Sequence, residues 1–216
     1  VSLRIISTLA VATLLRQLVP GDAAVTYEPT AKLLARIAAG EPADLAFLTR
    51  EAVQSLAAAG TLVAPRDVAR SFVGLAVRAG GARPDISTVA ALRATLLAAP
   101  SLAYSRAGAS GIFFAGLIER LGIAQAVNAR ATVIEQGFTA ALAASGEVAL
   151  AVQQVSELMA VEGVDIVDRL PEGANTAAVF SAGIFADAKS GSQAMLQRLL
   201  AGMDPAALAA AGLEPA

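Results

Sequence analysis

The sequence predicts an α/β protein with two lobes. Each lobe is a mostly parallel sheet flanked by helices, and two crossing strands join them with a ligand cleft between. Three observations carry this expectation. Short apolar β-type runs alternate with helical stretches along the 216 residues. Two longer β runs, 68–81 and 176–185, lie between blocks of such units, where each is placed to carry the chain from one lobe to the other. Small hydroxyl residues or glycines recur where strands give way to helices. On this reading residues 1–75 with 182–216 form one lobe, 82–174 the other, and 76–81 and 175–181 the hinge crossings. The competing reading makes both long runs central strands of a single sheet.

Taken in order, LRIIS (3–7) is a buried strand, followed by a helix from Leu9 to Val19 that Pro20-Gly21 stops. AAVTY (23–27) is a strand, and the helix from Ala31 to Ala39 ends at Gly40. ADLAFL (43–48) is a strand before the helix Arg50–Ala59, with Thr49 as its cap and Gly60 as its close. After the long run 68–81, Ser87 or Thr88 caps a helix ending before Pro100. SLAYS (101–105) is a strand and 111–121 a helix. RATVIEQ (130–136) leads to a helix over Phe138–Ala144. EVALAVQQ (147–154) leads to a short helical turn, and VDIVD (164–168) follows. After 176–185, two helices close the sequence near 187–201 and 204–211, with Asp204-Pro205 a favourable start for the last.

Composition narrows the chemistry. Apolar residues make up 56 % and aromatics 4 %, which suits close helix–sheet packing and not an aromatic platform for nucleobases. The formal charge of −2 is scattered, with no basic stripe for nucleic acid. There is no cysteine and no histidine, which excludes disulfides, thiol catalysis, Ser-His-Asp chemistry and His- or Cys-ligated metals. No cofactor or metal is expected. No run reaches the ~18–20 apolar residues of a membrane span, so no membrane insertion is expected. Val1–Val19, broken by Arg4, Ser7, Thr8, Arg16 and Gln17, reads as strand then helix and not as a signal peptide.

The strand-to-helix junctions share a chemistry. Ser7-Thr8, Pro29-Thr30, Thr49, the segment Ser105–Gly111 and Gln136-Gly137 all fall there. In a parallel sheet these junctions gather along one edge, where helix N–H groups are unpaired and partially positive. Ser and Thr add donors without bulk, and glycine admits a ligand to the backbone. The result is a neutral cradle for an oxyanion or carboxylate. A Ser or Thr at such a place is either an ordinary cap or a ligand contact. Thr49 and Thr88 are assigned as caps. The segment 105–111 is richer in small residues than one cap requires, and it is not a phosphate loop of the Gly-Lys-Ser/Thr type. Arg106 either forms a surface ion pair or clamps a ligand carboxylate. Of Gln153 and Gln154, adjacent on a strand, one at most faces a ligand, and Gln154 is the choice. Glu28 is assigned to solvent, with catalysis as the alternative.

"RIISTLAVATLLRQL", "YEPTAKLLARIAAGEPADLAFLT", "LAYSRAGASGIFFAGLIERLGI" and "GEVALAVQQVSEL" together resemble the periplasmic solute-binding proteins of ABC importers, in particular the molybdate-binding type. The resemblance runs in order over nearly the whole sequence. It implies the type II periplasmic binding protein fold, a small anionic ligand, ABC transporter membrane subunits as partners, a monomer, and a periplasmic location with the leader peptide not present in this chain. It places ligand hydroxyls at Ser7 or Thr8 and at Thr30. Backbone donors fall at Ala109, Ser110 and Gly111 and near Gln136 and Gly137. With Ser105, Arg106 and Gln154 these complete the candidate set. A tyrosine is common where this chain has Gln154. That departure, with Arg106 in the loop, turns the expectation from molybdate toward a di- or tricarboxylate. The same branch resembles enzymes that isomerise aconitate, so an isomerase is the alternative, with Glu28, Glu135 and Tyr104 as nominal bases. A sensing domain of a transcription regulator is a weaker alternative, since no DNA-binding helices precede the first strand.

Overall fold

A computed structural model describes residues 2–216 and divides them into two units, residues 2–70 with 179–216 and residues 71–178. The first unit is built on a five-stranded sheet. Its strands are β1 (Arg4–Ser7), β2 (Ala24–Tyr27), β3 (Leu45–Thr49), β4 (Leu62–Ser71) and β10 (Ala178–Phe185), in the order β2-β1-β3-β10-β4. β1 runs parallel to β2 and β3, and β10 is antiparallel to β3. A 3-10 turn (Leu9–Val11) with α1 (Ala12–Leu18), α2 (Thr30–Ala38) and α3 (Arg50–Ala58) form the crossovers, and α9 (Ser192–Gly202) and α10 (Pro205–Ala210) complete the unit.

The second unit holds β5 (Val73–Arg78), β6 (Leu102–Ser105), β7 (Ala131–Ile134), β8 (Leu150–Gln154) and β9 (Val164–Arg169), ordered β7-β6-β8-β5-β9. β6 is parallel to β7 and β8, and β5 is antiparallel to β8 and β9. Its helices are α4 (Val89–Ala98), α5 (Ala109–Arg120), α6 (Ala124–Asn128), α7 (Thr139–Ser145) and the single turn α8 (Val155–Leu158).

Strand alternation sorts the second core by size. Leu102, Tyr104, Leu150, Val152, Leu75 and Val77 point to one face, against Phe114, Leu117, Leu92 and Leu96. Ala103, Ala151 and Ala76 point to the other face, against Ala140, Ala143 and Leu158. A period of two with alanine on one face lets α7 and α8 press close to the sheet. Gly74 belongs to that face, and a Cβ there would stand 2.7 Å from Val155 Cγ2.

Several expectations need correction. The run 68–81 is two strands with separate pairings: β5 is bonded between β8 and β9, so residues 71–75 lie in the second unit. β4 begins six residues earlier than expected, because Ala64 (φ 50°) and Pro65 hid its first half. Helix α6 was not anticipated. Thr49 stands at the N-cap of α3 but makes no side-chain cap bond, whereas Thr88 accepts from the Ala91 N–H at 3.1 Å. Gly40 and Gly60 do close their helices, with φ of 77° and 74°. The bonds Glu41 N–H to Arg36 O and Thr61 N–H to Leu56 O complete each terminus.

Asp44 ties the first unit together. It is buried, and it accepts from the Arg4 N–H at 2.7 Å and the Lys189 N–H at 3.0 Å, with Lys189 Nζ 3.7 Å away. Burial pushes its carboxyl pKa up, but these donors and charges outweigh it and hold the group below the usual range. Asp44→Ala strands two N–H groups and is expected to lower the unfolding free energy by about 2–4 kcal/mol, measurable by urea denaturation.

Candidate functional site

In the first unit the parallel strands β1, β2 and β3 end on one edge. Ser7 ends β1, Thr8 follows it, and both are buried. Ser7 Oγ donates to Thr8 O at 2.9 Å, Thr8 N–H donates to Phe47 O, and Glu28 N–H donates to Ser7 O. Thr30 is the first residue of α2, and its Oγ1 is buried without a partner. Glu28, on the same turn, is paired with Arg36 at 2.8 Å; that hydrogen bond holds its carboxyl below the ordinary range, so it stays ionised.

In the second unit β6, β7 and β8 end together, at Ser105, Ile134 and Gln154. Ser105 and Ser110 flank the mouth of α5 with both hydroxyls buried and unpartnered. Gly108 and Gly111 make this possible. A Cβ at Gly108 would stand 2.7 Å from Ser105 Oγ, and one at Gly111 would overlap the Ser105 carbonyl. The N–H groups of Gly111 and Ile112 already bond to Gly108 O at 3.0 Å, which leaves Ala109 and Ser110 as the backbone donors at this mouth.

Arg106 extends toward solvent and pairs with Glu135 at 2.7 Å. Tyr104 is in the core, its hydroxyl donating to Asn128 Oδ1 at 2.8 Å and its ring against Phe114. Gln136 is exposed, and Gly137 has φ 90°. The loop they share is held from below by Gln153, whose Nε2 donates to Gly137 O and whose Oε1 accepts from Thr139 N–H and Oγ1. Gln153 is therefore the anchor of the loop. Gln154, also buried, keeps an Oε1 without a partner.

Sequence reasoning did not nominate Glu157. Its carboxyl is buried on α8, with Oε2 lacking a partner. Burial pushes its pKa up to about 7, against hydrogen bonds from the Gln154 backbone and the Gln153 side chain. The readable signal was a Glu three residues past a strand end, the place where a side chain reaches back to the first N–H of a helix.

A groove of about 600 Å³ lies at the opposite edge of this sheet, lined by Val77, Arg78, Ser101, Val148 and Leu150 among others. It is mostly apolar and none of the unpartnered buried atoms lines it, so it does not compete as the polar site. Among the described residues no group of three or more Asp or Glu is arranged to hold a metal ion, and no helix is long and apolar enough to cross a membrane.

Residues 13–212 match the family described as bacterial extracellular solute-binding protein. Over 185 residues the chain is 34 % identical to a Pseudomonas sp protein named aconitate isomerase, covering 83 % of this chain and 70 % of that one. The periplasmic molybdate-binding protein of Azotobacter vinelandii superposes with a TM-score of 0.76 at 16 % identity, covering 98 % of each chain. Peb3 from Campylobacter jejuni superposes at 0.69 with 11 % identity, covering 100 % of both. At these identities the two structures speak to the fold.

Two outcomes follow from the geometry. Gly111→Ala drives a methyl into the Ser105 carbonyl and is expected to destabilise the protein by more than about 3 kcal/mol or to prevent folding, read by thermal melting. For Glu157 the folded pKa lies above the ordinary value, so its contribution to stability is complete below about pH 4.5 and is lost as pH rises through about 7. Denaturation at pH 5 and pH 8 should show the native chain losing up to roughly 3 kcal/mol that Glu157→Gln keeps.

Proposed function

The chain belongs to the bacterial extracellular solute-binding protein family, with the type II periplasmic binding protein fold, and from that footing we propose that it captures a small organic anion, a di- or tricarboxylate, for an ABC importer. The observation that carries this reading is the set of buried polar atoms without partners: Thr30 Oγ1, Ser105 Oγ, Ser110 Oγ, Gln154 Oε1 and Glu157 Oε2. All five lie at the carboxyl edges of the parallel strands. In this proposal Ser105 and Ser110 are the candidate hydroxyls of the second unit, and Ser7, Thr8 and Thr30 those of the first. Ala109, Ser110, Gln136 and Gly137 supply backbone approach, and Gln154 an amide, while Gly111, with its N–H on Gly108 O and its Cα against the Ser105 carbonyl, shapes the mouth without donating. Arg106, released from Glu135, offers the one guanidinium. Charge-assisted hydrogen bonds of this kind contribute about 1.5–3 kcal/mol each.

A second reading, an isomerase acting on aconitate, is favoured by the 34 % identical relative of that name. The chemistry is an allylic shift. A base removes a proton from the methylene carbon, the double bond moves, and the proton returns at the former vinyl carbon. No co-reactant is needed. Glu28 is held ionised by Arg36, Glu135 faces solvent and Tyr104 is committed to Asn128, whereas Glu157 is buried with a carboxyl that holds its proton near neutrality. Following ultraviolet absorbance with cis- and trans-aconitate separates the readings: interconversion supports the enzyme, and its absence leaves capture.

A thermal-shift screen against citrate, both aconitates, molybdate, tungstate, sulfate and phosphate tests the ligand class. Carboxylates are expected to raise the melting temperature; a shift with molybdate or tungstate alone would overturn the proposal. Thr30→Ala is expected to weaken carboxylate binding about tenfold, the loss of one charge-assisted bond, while Thr49→Ala leaves it unchanged.

A further inference from the structure

Glu157 reaches back to the Gln154 backbone as a capping residue does, but that bond leaves its Oε2 unaccounted for. It is on a single turn, α8, pressed between β5, β8, β9 and α7 on the alanine face of the second sheet. One carboxyl oxygen has no partner, and Gln154 on the same turn also carries an unpartnered oxygen. The side chain of Gln153 bonds both to Glu157 and to the loop at Gly137 and Thr139, so the carboxyl is fastened to a candidate anion contact.

The charged residues on the elements packed around α8 are Arg78 on β5 and Asp165, Asp168 and Arg169 on β9; β8 and α7 carry none. Asp165 accepts from the Gly80 N–H, Asp168 from the Arg169 N–H, and Arg169 stacks on Phe72 at 4.8 Å. None of these four is among the groups that shift the Glu157 carboxyl, which are burial, the Gln154 backbone and the Gln153 side chain.

Two bare acceptor oxygens at an edge proposed to hold an anion pose a physical problem, because an ionised carboxyl would repel the ligand. A protonated one reverses the sign and becomes a donor. We infer that Glu157 is the proton-bearing contact of the anion site, donating its hydrogen to a ligand oxygen, so that capture takes up a proton and weakens as the solution turns alkaline. This inference rests on the anion-capture reading and assigns that site its pH response. Burial, which already keeps the carboxyl neutral up to about pH 7, makes the protonated form available, and a bound anion favours it further.

The test is calorimetric titration of the full chain with trans-aconitate and with citrate between pH 6.0 and pH 8.5, in pairs of buffers with different ionisation heats. The native chain is expected to lose at least about tenfold in affinity across that range and to take up close to one proton per ligand near pH 7.5. Glu157→Gln, whose amide donates at every pH, should bind within about twofold of constant affinity and take up none beyond the ligand's own titration. Glu157→Asp, shorter by one methylene, should keep proton uptake with weaker binding. Native binding without excess proton uptake overturns the inference while leaving anion capture intact, whether or not the variants fold. No binding of either carboxylate at any pH overturns both.

Discussion

A parallel strand can be followed by another only after the chain has crossed a face of the sheet, so the carboxyl ends of such strands collect on one edge and helices begin there. Both units obey this constraint, with β1, β2 and β3 in one and β6, β7 and β8 in the other. The polar residues that matter follow from it. Helix starts at these edges leave backbone N–H groups unsatisfied, and the chain places hydroxyls and glycines beside them. Ser105 and Gly111 show how tight the arrangement is, since the helix can begin where it does only because Gly111 has no side chain.

The alanine-rich composition belongs to the same account. Ala76, Ala103 and Ala151 give the second sheet one shallow face, so α7 and α8 approach closely. That approach buries the Glu157 carboxyl, which a bulkier face would hold out toward water. A property of the strands, small side chains at every second position, thus becomes a property of an acid. Gln153 connects the two levels by bonding the loop before α7 and the carboxyl on α8 with one amide.

Much of this was legible in the sequence, because local rules govern it. The strands of the first sixty residues, their closing glycines and the caps at Thr88 and Asp204 all follow from periodicity and terminus chemistry, and they stand within a residue or two of expectation. Failures came where tertiary contacts override local signals. Pro65 and a left-handed Ala64 disguised the start of β4, and α6 follows Gly122 so directly that it read as loop. Ser105, Ser110, Thr30 and Gln154 were legible as polar residues at helix mouths. Glu157 was not, because "QQVSEL" looks like a solvated turn. Only the packing of four other elements takes that carboxyl out of water.

The unpartnered atoms also answer whether this chain merely satisfies its polar groups poorly. Elsewhere it satisfies them well: Thr88 and Asp204 cap their helices, Asp44 takes two N–H groups, Thr139 is bonded twice, and Asn175 bridges Val73 and Leu170. A buried polar atom left bare costs on the order of 1–3 kcal/mol. Five of them approach the whole stability of a domain, about 5–15 kcal/mol. Random imperfection would scatter such atoms over both ends of the sheets and through the helices. Among the described residues they stand at strand ends and helix starts, on the edges where the fold also concentrates its unpaired N–H groups. In a chain that satisfies Asp44, Thr139 and Asn175 so fully, bare atoms gathered at these edges are what the proposed anion site requires.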